Sequence, residues 1–245
     1  MPVSSRNRHI VLTKSGNRCA FPDCNQILVV EHCESGNCSF VAQIAHIKGE
    51  KPGSARYDPN MKTDRNNPGN LLVLCPTHHT LIDASPNEYS VEKLNDMKLS
   101  HEKWISIQTS KAIVNIGFAE LKVVTKYLIS NSSTLSSIEM TPITIKIQKN
   151  NLSPTTENLI KMGMARVNLV KEYIDKSVDP DFGEKLKQGF MDQYQKLTTQ
   201  EGLRGDAIFD SLMEFACGNS PDFKQRAAGL TVLSYYFEKC DIFER

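Results

Sequence analysis

Apolar and polar positions divide the chain into a region of short strands and a region of helices. Between residues 18 and 86, turn signals such as FPDC, ESGN, KGEKPGS and RNNPGN separate short β-like runs. The runs are QILVVEH (26–32), SFVAQIAHI (39–47) and LLVL (71–74). The segment PTHHTLID that follows places Pro76 where a helix would begin. The pattern predicts a hairpin, a long loop, a strand and a helix.

From Ser90 the apolar positions change to helical spacing. SVEKLNDMKLSHEKWISIQ predicts one helix, with His101 and Glu102 on a solvated face, and AIVNIGFAELKVVTKYLI (112–129) predicts another. Residues 130–156 are rich in Ser, Thr and Asn and are expected to be a linker with at most one strand, TPITIKI. Further helices are predicted at about 156–177, 181–199, 203–217 and 221–239.

These patterns predict an α+β fold in three parts. Residues 1–110 form a strand-containing domain, residues 111–155 a helix and a linker, and residues 156–245 an all-α bundle. The contents of 40% hydrophobic and 23% charged residues are typical of a soluble globular protein. The sequence has no apolar run long enough for a membrane helix, and MPVSSRNRHIVL lacks an apolar signal segment, so we expect a cytoplasmic protein.

Charge does not by itself predict strong binding to nucleic acid. The formal net charge is +1. Residues 1–110 contain 12 Lys and Arg against 11 Asp and Glu, and residues 111–245 contain 17 against 17. Because phosphate binding draws on positive charge, any activity on nucleic acid is expected to depend on a partner or an activating signal.

Metal-binding residues are concentrated in the first half of the chain. All six histidines and five of the seven cysteines lie within the first 101 residues. Zn²⁺ prefers four Cys or His ligands, often supplied as two close pairs. Cys19 and Cys24 form one pair on a turn, and Cys75 with His78 forms a second pair where a strand becomes a helix. We favour this set, and the alternative second pair is Cys33/Cys38.

The segments AHI (45–47), GSARYDP (53–59) and NLLVLCPTHHTLID (70–83) resemble the HNH endonuclease motif, in the form found in bacterial anti-phage effector nucleases. The resemblance extends over residues 15–105. It implies a ββα-metal domain with a structural zinc, acting on DNA. It further implies that His46 is the general base, that His79 binds the catalytic metal, and that Asn70 fixes the loop that presents His46.

Elementary chemistry agrees with this assignment. Hydrolysis of a phosphodiester needs a base to activate water and a divalent cation to stabilise negative charge. His79 and Asp83 are four residues apart on the predicted helix, so they share a face and could bind Mg²⁺ or Mn²⁺. Adjacent helical side chains diverge by about 100°, so His78 can face the zinc while His79 faces the substrate.

One position departs from the commoner HNH pattern. Many HNH proteins place an acidic residue or a histidine directly before the base, where this chain has Ala45. The missing ligand is then expected from Asp83 or Asp58, and the alternative is an inactive domain that binds nucleic acid or assists assembly. Arg56 and Tyr57 are candidates for contact with the substrate phosphate.

The C-terminal half contains two amphipathic helical segments and the ending YYFEKCDIFE (235–244). This ending resembles the C-terminal domain of three-component defence systems that combine an ATPase with a separate effector. The resemblance implies a module that docks a protein partner or forms a homo-oligomer. The leading hypothesis is a regulated endonuclease that cuts double-stranded DNA in anti-phage defence.

Overall fold

The computed structural model describes residues 3–31, 38–130, 142–218 and 220–239, with the backbone alone at positions 30, 31 and 38. Its contacts divide the chain into two compact units, Met1–Ser106 and Ile107–Arg245. Among the described residues, no helix has both the length and the apolar character that a membrane span needs.

The N-terminal unit combines short strands with helices. Its elements are α1 (Ser5–Lys14), β1 (Val29–Glu31), β2 (Cys38–Phe40), β3 (Gln43–His46), a 3₁₀ turn (Pro68–Asn70), β4 (Leu71–Leu74), α2 (Pro76–Ala84) and the first part of α3 (Val91–Ile113). β1 pairs with β2, and β3 pairs with β4, both antiparallel. The predicted order of hairpin, loop, strand and helix is confirmed, but the run expected as one strand over 39–47 is divided between β2 and β3, which lie in different sheets.

Local sequence explains where these elements begin. The Ser4 side chain accepts a hydrogen bond from the Asn7 amide and so caps α1. Cys75 is the N-cap of α2, and Pro76 occupies its first turn, where a missing N–H costs nothing. α1 is absent from the predictions made from sequence.

The core of this unit lies between α1, the β3–β4 pair and α2. All four residues of β4 are buried, and the core also contains Val11, Leu12, Leu28, Ala45, Ile47, Ile82 and Leu94. His101 of α3, expected on a solvated face, is instead buried, and its Nε2 lies 2.9 Å from the Ser15 carbonyl oxygen. The spacing of apolar residues in the sequence does not show that Ser15 lies opposite His101.

The C-terminal unit is helical throughout its described part. It contains α4 (Phe118–Ile129), α5 (Ile143–Lys149), α6 (Pro154–Met164), α7 (Val167–Asp175), α8 (Phe182–Thr199), α9 (Asp206–Cys217) and α10 (Phe223–Lys239). The helix expected over 156–177 is two helices, α6 and α7, separated near Arg166. The predicted all-α character of this region is confirmed.

The strand expected in TPITIKI is wrong, because Ile143–Lys149 forms α5. Its β-branched residues favour a strand locally, but Ile147 packs into a helical core. Lys146 of α5 is fully buried, and its Nζ donates a 2.8 Å hydrogen bond to the Phe237 carbonyl in the last turn of α10. A cation suits the C-terminal end of a helix, where carbonyl groups carry partial negative charge.

Helices α4 and α5 contribute to the C-terminal core, although the sequence placed them in a connecting segment. Buried core residues include Leu121, Val124, Leu128, Ile147, Ile160, Phe190, Phe209, Leu230 and Phe237. The backbone of Gly163 in α6 lies so close to Ser234 that an added Cβ would be 2.0 Å from the serine Oγ. This position therefore requires glycine.

Candidate nuclease and zinc site

The first pair of zinc-ligand candidates lies on a tight turn. The Cys19 amide donates to the Gln26 carbonyl, and the Cys24 amide donates to the Phe21 carbonyl. Asp23 and Asn25 have φ angles of 62° and 47°. Asp and Asn tolerate this left-handed backbone, so the sequence between the cysteines suits a turn that directs both thiols to one side.

The second pair comes from the junction of β4 and α2, and the structure brings the two pairs together. The metal-binding atoms of Cys19, Cys24, Cys75 and His78 all lie within 4.8 Å of one another. The His78 Nδ1 is 3.6 Å from the Cys19 Sγ and 3.2 Å from the Cys75 Sγ. Ligands around tetrahedral Zn²⁺ are about 3.5–3.8 Å apart, given Zn–S and Zn–N bonds of ~2.3 and ~2.0 Å. The four residues fit a structural zinc ion.

A bound cation would offset the cost of burying these ligands. Burial raises the pKa of the Cys19 thiol to about 12. A buried thiolate is costly without a compensating cation, and Zn²⁺ supplies that compensation. The ring of Phe21 stacks on the His78 ring with centroids 3.9 Å apart and planes within 4°. Phe21 thus holds the imidazole in place, a role that sequence reasoning missed.

The alternative second pair is Cys33 and Cys38, and their side chains lie outside the part of the chain that the structure describes. Cys33 is outside the described residues, and Cys38 is described only as backbone in β2. Within the described part of the chain, the Cys19, Cys24, Cys75 and His78 group is the cluster with metal-ligand geometry.

His46 is the last residue of β3 and is half-buried. It pairs in register with Leu71 of β4, which leads through Cys75 into α2. Its Nε2 lies 2.9 Å from the side-chain oxygen of Asn66. A short sheet thus fixes the backbone of His46, and Asn66 contacts its ring.

Asn70 lies in the 3₁₀ turn before β4 and is buried. Its Nδ2 donates to the carbonyls of Lys48 and Arg65, at 3.0 and 2.8 Å, and its Oδ1 accepts from the Lys48 amide at 2.8 Å. One side chain therefore joins the two ends of the loop that follows His46. This geometry is what a loop-fixing role requires.

The loop between these ends has its own polar frame. Arg65 donates to the carbonyls of Gly49 and Asp58, and its guanidinium carbon lies 4.3 Å from the centre of the Tyr57 ring. Lys48 pairs with Asp58 at 2.8 Å, and this hydrogen bond lowers the pKa of the Asp58 carboxyl. Asp58 is thus held by Lys48.

His79 and Asp83 lie on one face of α2, as expected from their spacing. The His79 Nδ1 and the Asp83 Oδ2 are 3.9 Å apart, and both side chains are partly exposed. The other carboxylate oxygen of Asp83 is 2.6 Å from Arg56. One carboxylate oxygen and an imidazole on this face could act as ligands of a divalent cation.

Arg56 is placed differently from its expected contact with substrate. Its side chain is only 4% exposed. Besides Asp83, it donates to the carbonyls of Ile47 and Ile82, at 3.0 and 2.7 Å. With its guanidinium engaged inside the protein, Arg56 joins the loop to α2, and a direct phosphate contact does not fit this geometry.

The position directly before His46 is occupied by Ala45 and lies in the apolar core. Successive strand residues face opposite sides, and the Ala45 side chain is 1% exposed within the N-terminal core. A carboxylate there would be buried among apolar groups at high cost. Position 45 therefore offers no metal ligand.

Family comparisons agree with these features. Residues 19–85 match the model of an HNH endonuclease family, and the matched segment contains both the four-residue cluster and His46, Asn70 and His79. Residues 120–244 match the model of C-terminal domain 10 of the ABC-three component (ABC-3C) systems. A sequence comparison with curated proteins finds no match.

Proposed function

Because the chain belongs to the family defined by C-terminal domain 10 of the ABC-three component systems, we propose that it is the nuclease effector of such a system and hydrolyses phosphodiester bonds in DNA. Membership in a three-component system implies partnership with its other components. The HNH endonuclease domain supplies the candidate chemistry.

One arrangement carries the proposal. His46 at the end of β3, Asn70 before β4 and His79 on α2 occupy the three parts of one ββα unit, within the segment matched to HNH endonucleases. The zinc-type cluster lies at the β4–α2 junction of the same unit. Bound zinc would fix α2 relative to the strand, as structural zinc does in small domains.

The residues divide the reaction between them. His46 accepts a proton from the attacking water, because a neutral imidazole is a suitable base near neutral pH. Asn70 keeps the loop after His46 closed. His79 and Asp83 would hold Mg²⁺ or Mn²⁺, and a cation bound there would supply positive charge to stabilise the phosphate and the leaving oxygen. Tyr57 remains a candidate for contact with the substrate.

Charge and family membership together favour a regulated enzyme. Residues 1–110 contain 12 basic and 11 acidic side chains, which gives little general attraction for DNA. The helical C-terminal unit contains the family domain and is the proposed docking module for a protein partner or a second copy. Recruitment by the assembly would bring the nuclease unit close to DNA, which its nearly balanced charge does not do.

Two observations favour a second candidate, an inactive HNH-type subunit that binds nucleic acid or assists assembly. Ala45 occupies the position where many HNH proteins have a ligand, and Arg56 engages one oxygen of Asp83. Both features reduce the number of metal ligands.

A plasmid-cleavage assay separates the two candidates. The full chain, with and without its partner components, is incubated with Mg²⁺ or Mn²⁺ and with double-stranded DNA or RNA. We expect DNA cleavage that His46→Ala abolishes and His9→Ala, at an exposed position of α1, leaves unchanged. If the complete assembly leaves DNA intact, or if His46→Ala cuts equally well, the nuclease proposal is rejected.

A further inference from the structure

The contact between His46 and Asn66 determines which ring nitrogen is available for chemistry. The 2.9 Å contact joins the His46 Nε2 to the side-chain oxygen of Asn66. An amide oxygen can only accept a hydrogen bond, so the Nε2 must carry the hydrogen. In a neutral imidazole the lone pair then resides on Nδ1. This one contact selects between two tautomers that are otherwise close in energy.

Asn66 is itself held on both sides. Its backbone amide donates to the Asp64 side chain at 3.0 Å, and its carbonyl accepts a 2.8 Å hydrogen bond from the Asn7 side chain of α1. Asn67 then caps the 3₁₀ turn that leads to Asn70. The side-chain amide of Asn66 therefore extends from a turn that is hydrogen-bonded to α1.

An amide partner has a different effect from a carboxylate. A carboxylate beside the ring would favour the imidazolium and remove the lone pair at neutral pH. The neutral amide of Asn66 orients the ring without itself adding negative charge. Orientation and tautomer together determine whether a histidine can accept a proton from a given water.

We propose that Asn66, which is not one of the three HNH motif residues, is the positioning residue that fixes His46 in the Nε2–H tautomer, making Nδ1 the proton-accepting atom. This inference rests on the proposed nuclease function for its consequence, but the tautomer itself can be measured without any activity.

The test uses the full chain labelled with ¹⁵N-histidine. Two-bond ¹H–¹⁵N spectra are recorded near pH 8.5, well above the ordinary histidine pKa of ~6.5, and the His46 signals are identified by their absence in His46→Gln. We expect the Nε2–H pattern in the wild type and in Asn66→Asp, which keeps an acceptor oxygen. Asn66→Ala should give a mixture of tautomers. Asn60→Ala, an exposed asparagine in the same loop, is the matched control and should keep the wild-type pattern.

The second part of the test measures the kinetics of DNA cleavage. Asn66→Ala should lower kcat by roughly 10–100-fold with little change in KM, the loss typical of removing a group that orients a reactive histidine. Asn66→Asp should recover part of this loss only above neutral pH, because its carboxylate favours the imidazolium at lower pH. Zinc content and the unfolding midpoint show whether each variant is folded.

The outcomes are distinct. An Nδ1–H ring in the wild type, or a tautomer unchanged in folded Asn66→Ala, overturns the inference. A wild-type assembly that has the Nε2–H tautomer but does not cut DNA overturns the proposed function and leaves the Asn66 contact established.

Discussion

Arg56 and Asp83 form a 2.6 Å ion pair that connects the loop after β3 to the end of α2. The two side chains differ in environment, since Arg56 is 4% exposed and Asp83 is 45% exposed. Arg56 also has a φ of 57°, a left-handed backbone that a non-glycine residue adopts only when its surroundings hold it there. The pair therefore shapes the same face of α2 that presents His79.

Removing this arginine should destabilise the N-terminal unit. We expect Arg56→Ala to lower the free energy of unfolding by about 2–4 kcal/mol, because the carbonyls of Ile47 and Ile82 lose a buried donor. The fluorescence of Trp104, the single tryptophan, reports urea unfolding of this unit.

Two further variants test the reason for that loss. Arg56→Lys should recover little stability, because an ammonium cannot reproduce the fork of hydrogen bonds. Arg8→Ala, at an exposed position of α1, is the matched control and should change stability by less than about 0.5 kcal/mol. An Arg56→Ala protein as stable as this control would contradict the structural role.

The four-residue cluster should bind zinc in the purified protein. We expect elemental analysis to find about one zinc per chain, since Cys19, Cys24, Cys75 and His78 provide one tetrahedral set. Cys75→Ser should lose the metal and unfold the N-terminal unit at lower temperature. Chelation of the wild type should have the same effect.

Other cysteines provide the controls for this experiment. Cys217→Ser, in the buried core of the C-terminal unit, should keep the zinc, and Cys33→Ser should keep it too. Loss of zinc from Cys33→Ser with retention in Cys75→Ser would move the site to Cys33 and Cys38.

Acid should weaken the N-terminal unit through His101. Burial lowers the pKa of His101, while the unfolded chain titrates near its ordinary value of ~6.5. Below about pH 6.5 the unfolded state therefore binds the proton more readily, and stability falls until the lower folded pKa is reached.

The variant His101→Gln removes this titration. We expect the free energy of unfolding to fall more steeply from pH 7 to pH 5 in the wild type than in His101→Gln. Protonation of the zinc ligands affects both proteins equally and cancels in the difference. Parallel pH curves would exclude the contribution of His101.

The sequence predicts those parts of the site whose signals are local. The pairs Cys19/Cys24 and Cys75/His78 lie on short turns, and the apolar run 71–74 predicts a buried strand beside them. The helix over 76–84 then determines that His78 and His79 face different ways. Each of these inferences needs only the geometry of a few consecutive residues.

Contacts between segments that are far apart in the sequence cannot be predicted from such local patterns. Asn66 meets His46 across 20 positions, and Arg56 meets Asp83 across 27. Nothing in NNPGN or SARYDP distinguishes these side chains from ordinary turn residues. Likewise, ITIKI has a strand-like composition, and only its burial in a helical core makes it α5.

The hydrogen bonds of Asn70 have a consequence for how this domain can diversify. Because that side chain joins Lys48 to Arg65, the residues between them form a loop whose two ends are held together by hydrogen bonds. Within this loop, Gly53 has a φ of 86°, a backbone conformation that favours glycine, and no atom lies within 4 Å of where a side chain would begin. Segments of new length that keep glycine at this position could be inserted there without moving His46, so this loop could diverge while the candidate site is kept.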